Sequence, residues 1–232
     1  GVEIIGNSRT ATLLFSILLA SGVTNTRISL SASYKHPTVV DSDLGSGSLR
    51  TTDLGLNYKK RIEELAREWS LFPVASSFAL AQRGAPKPVV PEKNLRIICG
   101  SFDSQYVEHL LRDGQDHFFV GRAPGHVATV GPFVQPGSTP CRRCLSLIEA
   151  DRVGVAELSI PLGTSDELPI AVAHQVAALA AHAALKFIDT GKSELQAAQL
   201  IVDFLDALNP QLQHFPQHPE CECLWTSADL IL

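Results

Sequence analysis

Four of the five cysteines in this 232-residue chain fall in two short knuckles, and their pairing constrains the fold more than any other feature. The first closes the stretch Gly131-Pro132-Phe133-Val134-Gln135-Pro136-Gly137-Ser138-Thr139-Pro140-Cys141-Arg142-Arg143-Cys144, with C-x-x-C spacing. The second is His218-Pro219-Glu220-Cys221-Glu222-Cys223, with C-x-C spacing. A C-x-x-C bend brings two thiolates onto one ion, and a tetrahedral zinc needs two more. The C-x-C can supply them, which would pin the last segment to the middle of the chain. A disulfide pair, a redox C-x-x-C and plain buried cysteines compete with this reading, and the presence of two paired knuckles favours metal.

The length suits one large domain with ample core, and 45% hydrophobic with 19% charged residues is ordinary for a globular protein. A net charge of −5 argues against general nucleic-acid binding, which rests on a basic face. Few, clustered cysteines point to a reducing cytoplasm over a disulfide-stapled secreted scaffold. The run Ala11 to Ala20 is read as the longest apolar stretch. Ser16 interrupts it and no basic leader precedes it, so neither a membrane span nor a signal peptide is expected. There is no methionine, not even at position 1, so an N-terminal module is expected to be missing ahead of residue 1.

Read in order, Val2 to Ile5 is a short buried strand, Gly6-Asn7-Ser8-Arg9 a turn, and Thr10 to Ser21 a helix apolar on nearly every side. Gly22 caps it and Thr26 to Leu30 alternates as a second strand. Strand, glycine turn, helix, strand is the βαβ unit of a nucleotide-binding α/β fold. Thr38 to Asp41 reads as a third strand, Gly45 to Ser48 as a loop and Asn57 to Trp69 as an amphipathic helix. The proline-rich residues 84–93 read as a connecting loop. Leu95 to Cys99 is a central strand, Gln105 to Arg112 a helix, His117 to Val120 a strand and His126 to Val134 its return. Leu145 to Asp151 is a short helix, Ile170 to Ile188 an alanine-rich one ended by Gly191, and Leu200 to Leu205 with Gln211 to Phe215 a late hairpin. No internal repeat or domain boundary is evident, so residues 1–232 are expected to form one domain.

This order, with Gly-Pro-x-x-x-Pro-Gly before C-x-x-C and a terminal His-Pro-x-Cys-x-Cys, resembles the ThiF/MoeB group, the adenylating domains related to ubiquitin-activating enzymes. Gly131 to Arg152 and His218 to Cys223 look most like bacterial ThiF-like proteins of azole-forming, bacteriocin-type peptide modification. The resemblance covers most of the chain, and the knuckles carry its specificity. It implies a Rossmann-like, mostly parallel sheet with flanking helices and a clamped C-terminal segment. It also implies a structural zinc on Cys141, Cys144, Cys221 and Cys223, and a dimer. Members bind ATP and magnesium and activate the C-terminal carboxylate of a small partner protein as an acyl-adenylate. Orienting the reactants and neutralising phosphate charge lowers the barrier to that step.

The nucleotide determinants depart from the pattern. A phosphate turn needs glycines so that backbone N–H groups can approach the phosphates. Gly6 is present, Ser8 replaces a second glycine and Arg9 fills a third position. Arg9 is either a phosphate-pairing cation or a plug in the phosphate space. No acid follows the second strand, where the ribose carboxylate belongs, and Asp41 and Asp43 read as loop or capping residues. Arg50 lies near the expected arginine and Lys59 or Lys60 near the expected lysine, although a solvated helix face explains the lysines as well. Asp103 is the only local candidate for the magnesium carboxylate, and it equally suits a helix N-terminus. Residues 145–220 contain no cysteine to carry a thioester. Cys99 reads as a buried thiol, His174 and His182 lack an acid at metal spacing, and His218 is a supporting or substitute ligand.

Two functions follow as expectations. One is a non-catalytic ThiF-like scaffold holding a peptide or partner enzyme, which the resemblance suggests is a YcaO-type cyclodehydratase. The other is an adenylyltransferase in which Arg9, Arg50, Lys59 and Asp103 rebuild the site. A dinucleotide-dependent oxidoreductase fits less well, because the ribose acid is absent.

Overall fold

The computed structural model describes residues 1–6, 8–29, 37–45, 48–70, 94–100, 104–123, 125–153, 168–206 and 208–223. They form a seven-stranded sheet flanked by helices. The elements are β1 (Val2–Ile5), α1 (Arg9–Ala20), β2 (Thr26–Ser29), α2 (Tyr58–Trp69), β3 (Leu95–Cys99), α3 (Ser104–Arg112), β4 (His117–Ala123), β5 (Val127–Val134), α4 (Arg142–Val153), α5 (Ile170–Thr190), β6 (Ala198–Asp203) and β7 (Gln211–His214). The strand order is β2-β1-β3-β4-β5-β6-β7. Strands β2, β1, β3 and β4 run parallel, and β5, β6 and β7 continue the sheet antiparallel.

Strand alternation sorts the side chains into two cores. Val2, Ile4, Leu95, Ile97, Phe118 and Val120 belong to a cluster with α1, α2 and α5. On the other face Ile98, Phe119 and Val134 pack with Leu110 of α3, Leu145 of α4, Phe215 and three of the knuckle cysteines. Helix α1 is buried along most of its length, so it has no broad polar face to present. Buried alanines on α5 (Ala173, Ala177, Ala180, Ala184) let it lie close against α1, and Phe187 meets Phe133 of the sheet at 4.3 Å between ring centroids. Gly191 ends α5 in the left-handed conformation, its N–H on the Phe187 carbonyl. By length and composition α5, not the Ala11–Ala20 run, is apolar enough to cross a bilayer, yet it serves as a core helix.

Two readings of the sequence need correction. Residues 38–41 are not a strand. Thr38 makes a single bridge to Asn57, and Asp41–Asp43 form a 3-10 turn closed by the Asp43 carboxylate, which accepts the Val40 N–H at 2.9 Å. The carboxylate takes the backbone donor that a ladder would use. Helix α4 also begins at Arg142, inside the first knuckle, and runs beyond Asp151. The 84–93 loop lies outside the described residues.

Candidate functional site

The two knuckles meet. The Sγ atoms of Cys141, Cys144, Cys221 and Cys223 all lie within 4.8 Å of one another, with Cys141–Cys221 at 3.6 Å and Cys144–Cys223 at 3.4 Å. A tetrahedral zinc with Zn–S near 2.3 Å sets its sulfurs about 3.8 Å apart, so the four thiols suit one such ion. They are free cysteines, which removes the disulfide alternative, and the short approaches run between knuckles, not within one.

Local chemistry shapes each half. In the first, Thr139 is buried and its hydroxyl accepts the Gln135 N–H at 2.9 Å, while the Ser138 and Thr139 N–H groups both donate to the Gln135 carbonyl. Cys144 N–H donates to the Cys141 carbonyl at 3.1 Å as α4 starts. The second half is a β-turn over His218–Cys221, with Cys221 N–H on the His218 carbonyl at 2.9 Å. Pro219 sits at the position whose φ proline presets. Burial drives the Cys221 thiol up to about 12, reinforced by Cys141, and drives Cys223 higher still. Burial also works against ionising Cys144, but N–H donors from His218 and Cys141 outweigh it and bring that thiol down. Converging thiols in a buried site resist shedding their protons together, and a divalent cation is the charge that reverses this.

His218 is not a fifth ligand. Its Nδ1 accepts the Glu220 N–H at 3.1 Å, and Nε2 lies 2.9 Å from the Asp151 carboxylate. His174 is exposed with Nδ1 on its own helix carbonyl at Ile170, and His182 is exposed, so neither joins a cluster.

The second locus is the carboxyl edge of the parallel strands. In the order β2-β1-β3, the chain leaves β1 and β3 toward opposite sides, which opens a crevice where ligands bind in such sheets. Gly6 stands at the end of β1 with φ +140°, and a Cβ there would lie 2.2 Å from the Cys99 carbonyl oxygen. Packing against β3 is therefore enough to demand this glycine. Ser8 is the N-cap of α1: its hydroxyl accepts the Ala11 N–H at 3.2 Å and its carbonyl the Thr12 N–H at 3.1 Å. Arg9 Nε donates to the Leu44 carbonyl at 2.6 Å, tying the start of α1 to the 41–45 turn. Thr10 Oγ1 is buried and has no partner among the described residues.

The remaining candidates that the structure describes lie partly at the surface and partly in turns and core. Arg50 is exposed, and its N–H donates to the Asp53 carboxylate. Lys59 and Lys60 are exposed in the first turn of α2. Asp43 caps its own turn, Asp41 is exposed and Cys99 is buried. Asp103 and residues 30–36, where a ribose acid would stand, lie outside the described residues.

Several groups escaped the reading of the sequence. Asp53 is buried, caps a 3-10 turn through the Arg50 N–H and accepts from Arg61 at 2.8 Å. Tyr58 is fully buried with its hydroxyl 3.1 Å from that of Thr12, and burial raises its pKa to about 12. Arg142 lies over the Phe119 ring, 5.5 Å from the centroid. The one available signal was the repeated carboxylate three residues after an extended residue, Val40 to Asp43 and Arg50 to Asp53.

No family model and no curated protein matches the chain. Solved structures do. E. coli MccB with ATP aligns with TM-score 0.67 at 19% identity over 97% of this chain and 65% of that one. MccB with N-formylated MccA, described as a microcin C7 biosynthetic enzyme, aligns with TM-score 0.65 at 20% identity over 97% and 67%. PaaA aligns with TM-score 0.59 at 15% identity over 92% and 72%. The chain spans about two thirds of the length of the MccB chains (65–67%). The likeness is one of fold, and it is the fold that the resemblance to ThiF-like proteins led us to expect.

Proposed function

We propose that this protein is a ThiF-like component of peptide modification, with a structural zinc on Cys141, Cys144, Cys221 and Cys223 and a nucleotide crevice no longer used for catalysis. On this reading it is a scaffold that holds a peptide substrate, works as a homodimer and serves a partner such as a YcaO-type cyclodehydratase in the cytoplasm. Zinc would supply a fixed tetrahedral cross-link, and the residues of the chain do the rest: Thr139 and Pro219 shape the two turns. The likeness to MccB, solved with MccA and with ATP, supports a peptide-modification role.

One observation carries the non-catalytic part. The α1 N-terminus, where phosphates would be cradled, is served by the chain itself, with Ser8 capping it and Arg9 held on the Leu44 carbonyl. Isothermal titration of the zinc-loaded protein with ATP and Mg²⁺ tests it. We expect no binding up to millimolar nucleotide, and micromolar affinity overturns the scaffold reading.

A second reading, an ATP-dependent adenylyltransferase acting on a C-terminal carboxylate, draws on the buried, unpartnered Thr10 hydroxyl in the first turn of α1. A phosphate oxygen would satisfy it, with Arg9, Arg50 and Lys59 recruited to the phosphates and Asp103 to magnesium. Peptide-dependent exchange of radiolabelled pyrophosphate into ATP would establish that reading.

A further inference from the structure

The side chain of His218 does more than fill space beside the second knuckle. The carbonyl and both ring nitrogens of this residue are engaged. Its carbonyl accepts the Cys221 N–H at 2.9 Å, closing the β-turn. Within the turn, Nδ1 accepts the Glu220 N–H at 3.1 Å, which leaves the proton on Nε2, and that N–H donates to Asp151 Oδ2 at 2.9 Å on α4. Two bonds thus shape the turn that presents Cys221, and one reaches across to the half of the site carried by α4. The ring is buried, whereas the Asp151 side chain is 74% exposed. Water therefore competes for the outer bond and hardly for the inner one.

We propose that His218 is a positioning residue of the metal centre. Its Nδ1 holds the 218–221 turn in the shape that sets Cys221 and Cys223 opposite Cys141 and Cys144. An Asn at this position keeps an acceptor two residues ahead of the Glu220 N–H, in the manner of an Asx-turn, whereas Leu keeps the apolar bulk and loses the acceptor. Packing and positioning therefore predict opposite rankings.

The inference rests on the four-cysteine metal reading and is independent of the nucleotide crevice. The test measures zinc affinity by competition with a chromogenic chelator, and the sulfur-to-cobalt charge-transfer bands of the Co²⁺-loaded form, for the wild type, His218→Leu, His218→Asn and Asp151→Asn. We expect His218→Leu to bind zinc roughly 10–100-fold more weakly with altered cobalt bands, as is typical when a partner of a metal ligand is lost. His218→Asn is expected to recover most of that loss, and Asp151→Asn to change affinity only about two- to threefold. A Leu variant with wild-type affinity and spectrum, or an Asn variant no better than Leu, overturns the proposal. Should the Leu variant fail to fold, the wild-type ring still decides: nitrogen-15 NMR of the zinc-loaded protein must show the Nε2–H tautomer, and an Nδ1–H tautomer overturns the assignment. Absence of any zinc in the purified wild type would instead defeat the metal reading itself.

Discussion

His117 opens β4 with no exposed surface, its Nδ1 2.8 Å from the Gln115 carbonyl and its Nε2 without a partner among the described residues. Burial outweighs the hydrogen bond and lowers its pKa from 6.5 to about 4. A folded-state pKa depressed in this way means that the unfolded chain takes up a proton before the native state does. The stability carried by the neutral ring is present above pH 6.5 and is lost as pH falls through the window down to about 4. At 1.36 kcal/mol per unit the full loss is about 3 kcal/mol, and about 2 kcal/mol of it falls between pH 7.5 and pH 5. His117→Phe keeps an aromatic ring beside Phe119 and removes the titration. Urea unfolding of zinc-loaded wild type and variant across this range isolates the effect, because zinc ligands and surface carboxylates contribute equally to both. The wild type is expected to lose about 2 kcal/mol more than His117→Phe between those two pH values. Parallel stability curves for the two proteins would refute the reasoning, whatever the constant offset between them.

Two further outcomes are expected. Gly6→Ala places a Cβ 2.2 Å from the Cys99 carbonyl oxygen, whereas Gly55→Ala, also at positive φ, meets open space. The first should cost about 3 kcal/mol or more and the second about 1 kcal/mol by chemical denaturation, and equal costs would show that Gly6 is not in contact with β3. The metal centre should hold one zinc per chain by elemental analysis, lose it on Cys221→Ser, and bind it more weakly at pH 6 than at pH 8. With the folded Cys221 thiol pushed up to about 12, binding must release protons, and a pH-independent affinity in chelator competition would count against thiolate ligation.

What the sequence made legible were features encoded locally. The nearly all-apolar α1, the glycine stop after α5, the alternation of β5 and the spacing of the cysteines each carry their structural meaning within a few residues. What escaped depends on partners distant in sequence or on competition between acceptors. Thr38-Val39-Val40 has the branched residues of a strand, but the Asp43 carboxylate competes for the Val40 N–H and wins. Arg61 looks like any surface arginine of an amphipathic helix until Asp53 is folded beneath it. His117 begins an apolar strand, and nothing in its neighbours says that no partner among the described residues reaches Nε2.

The two loci also divide along the two faces of the sheet. The α1 N-terminus belongs to the core shared with α2 and α5, which is broad and rich in fully buried aliphatic and aromatic side chains. The knuckles belong to the smaller core under α3 and α4, where three of the four cysteines are themselves core residues. A small core has less apolar area to offset the entropy of ordering the chain, so a cross-link contributes most there. The crevice, in contrast, opens beside the larger core. At the crevice Ser8 and Arg9 are tied into the fold by a helix cap and by the Leu44 carbonyl, whereas the cysteines cannot be exchanged so freely. This asymmetry of constraint is compatible with the proposed scaffold role, which keeps the clamp and does without the nucleotide.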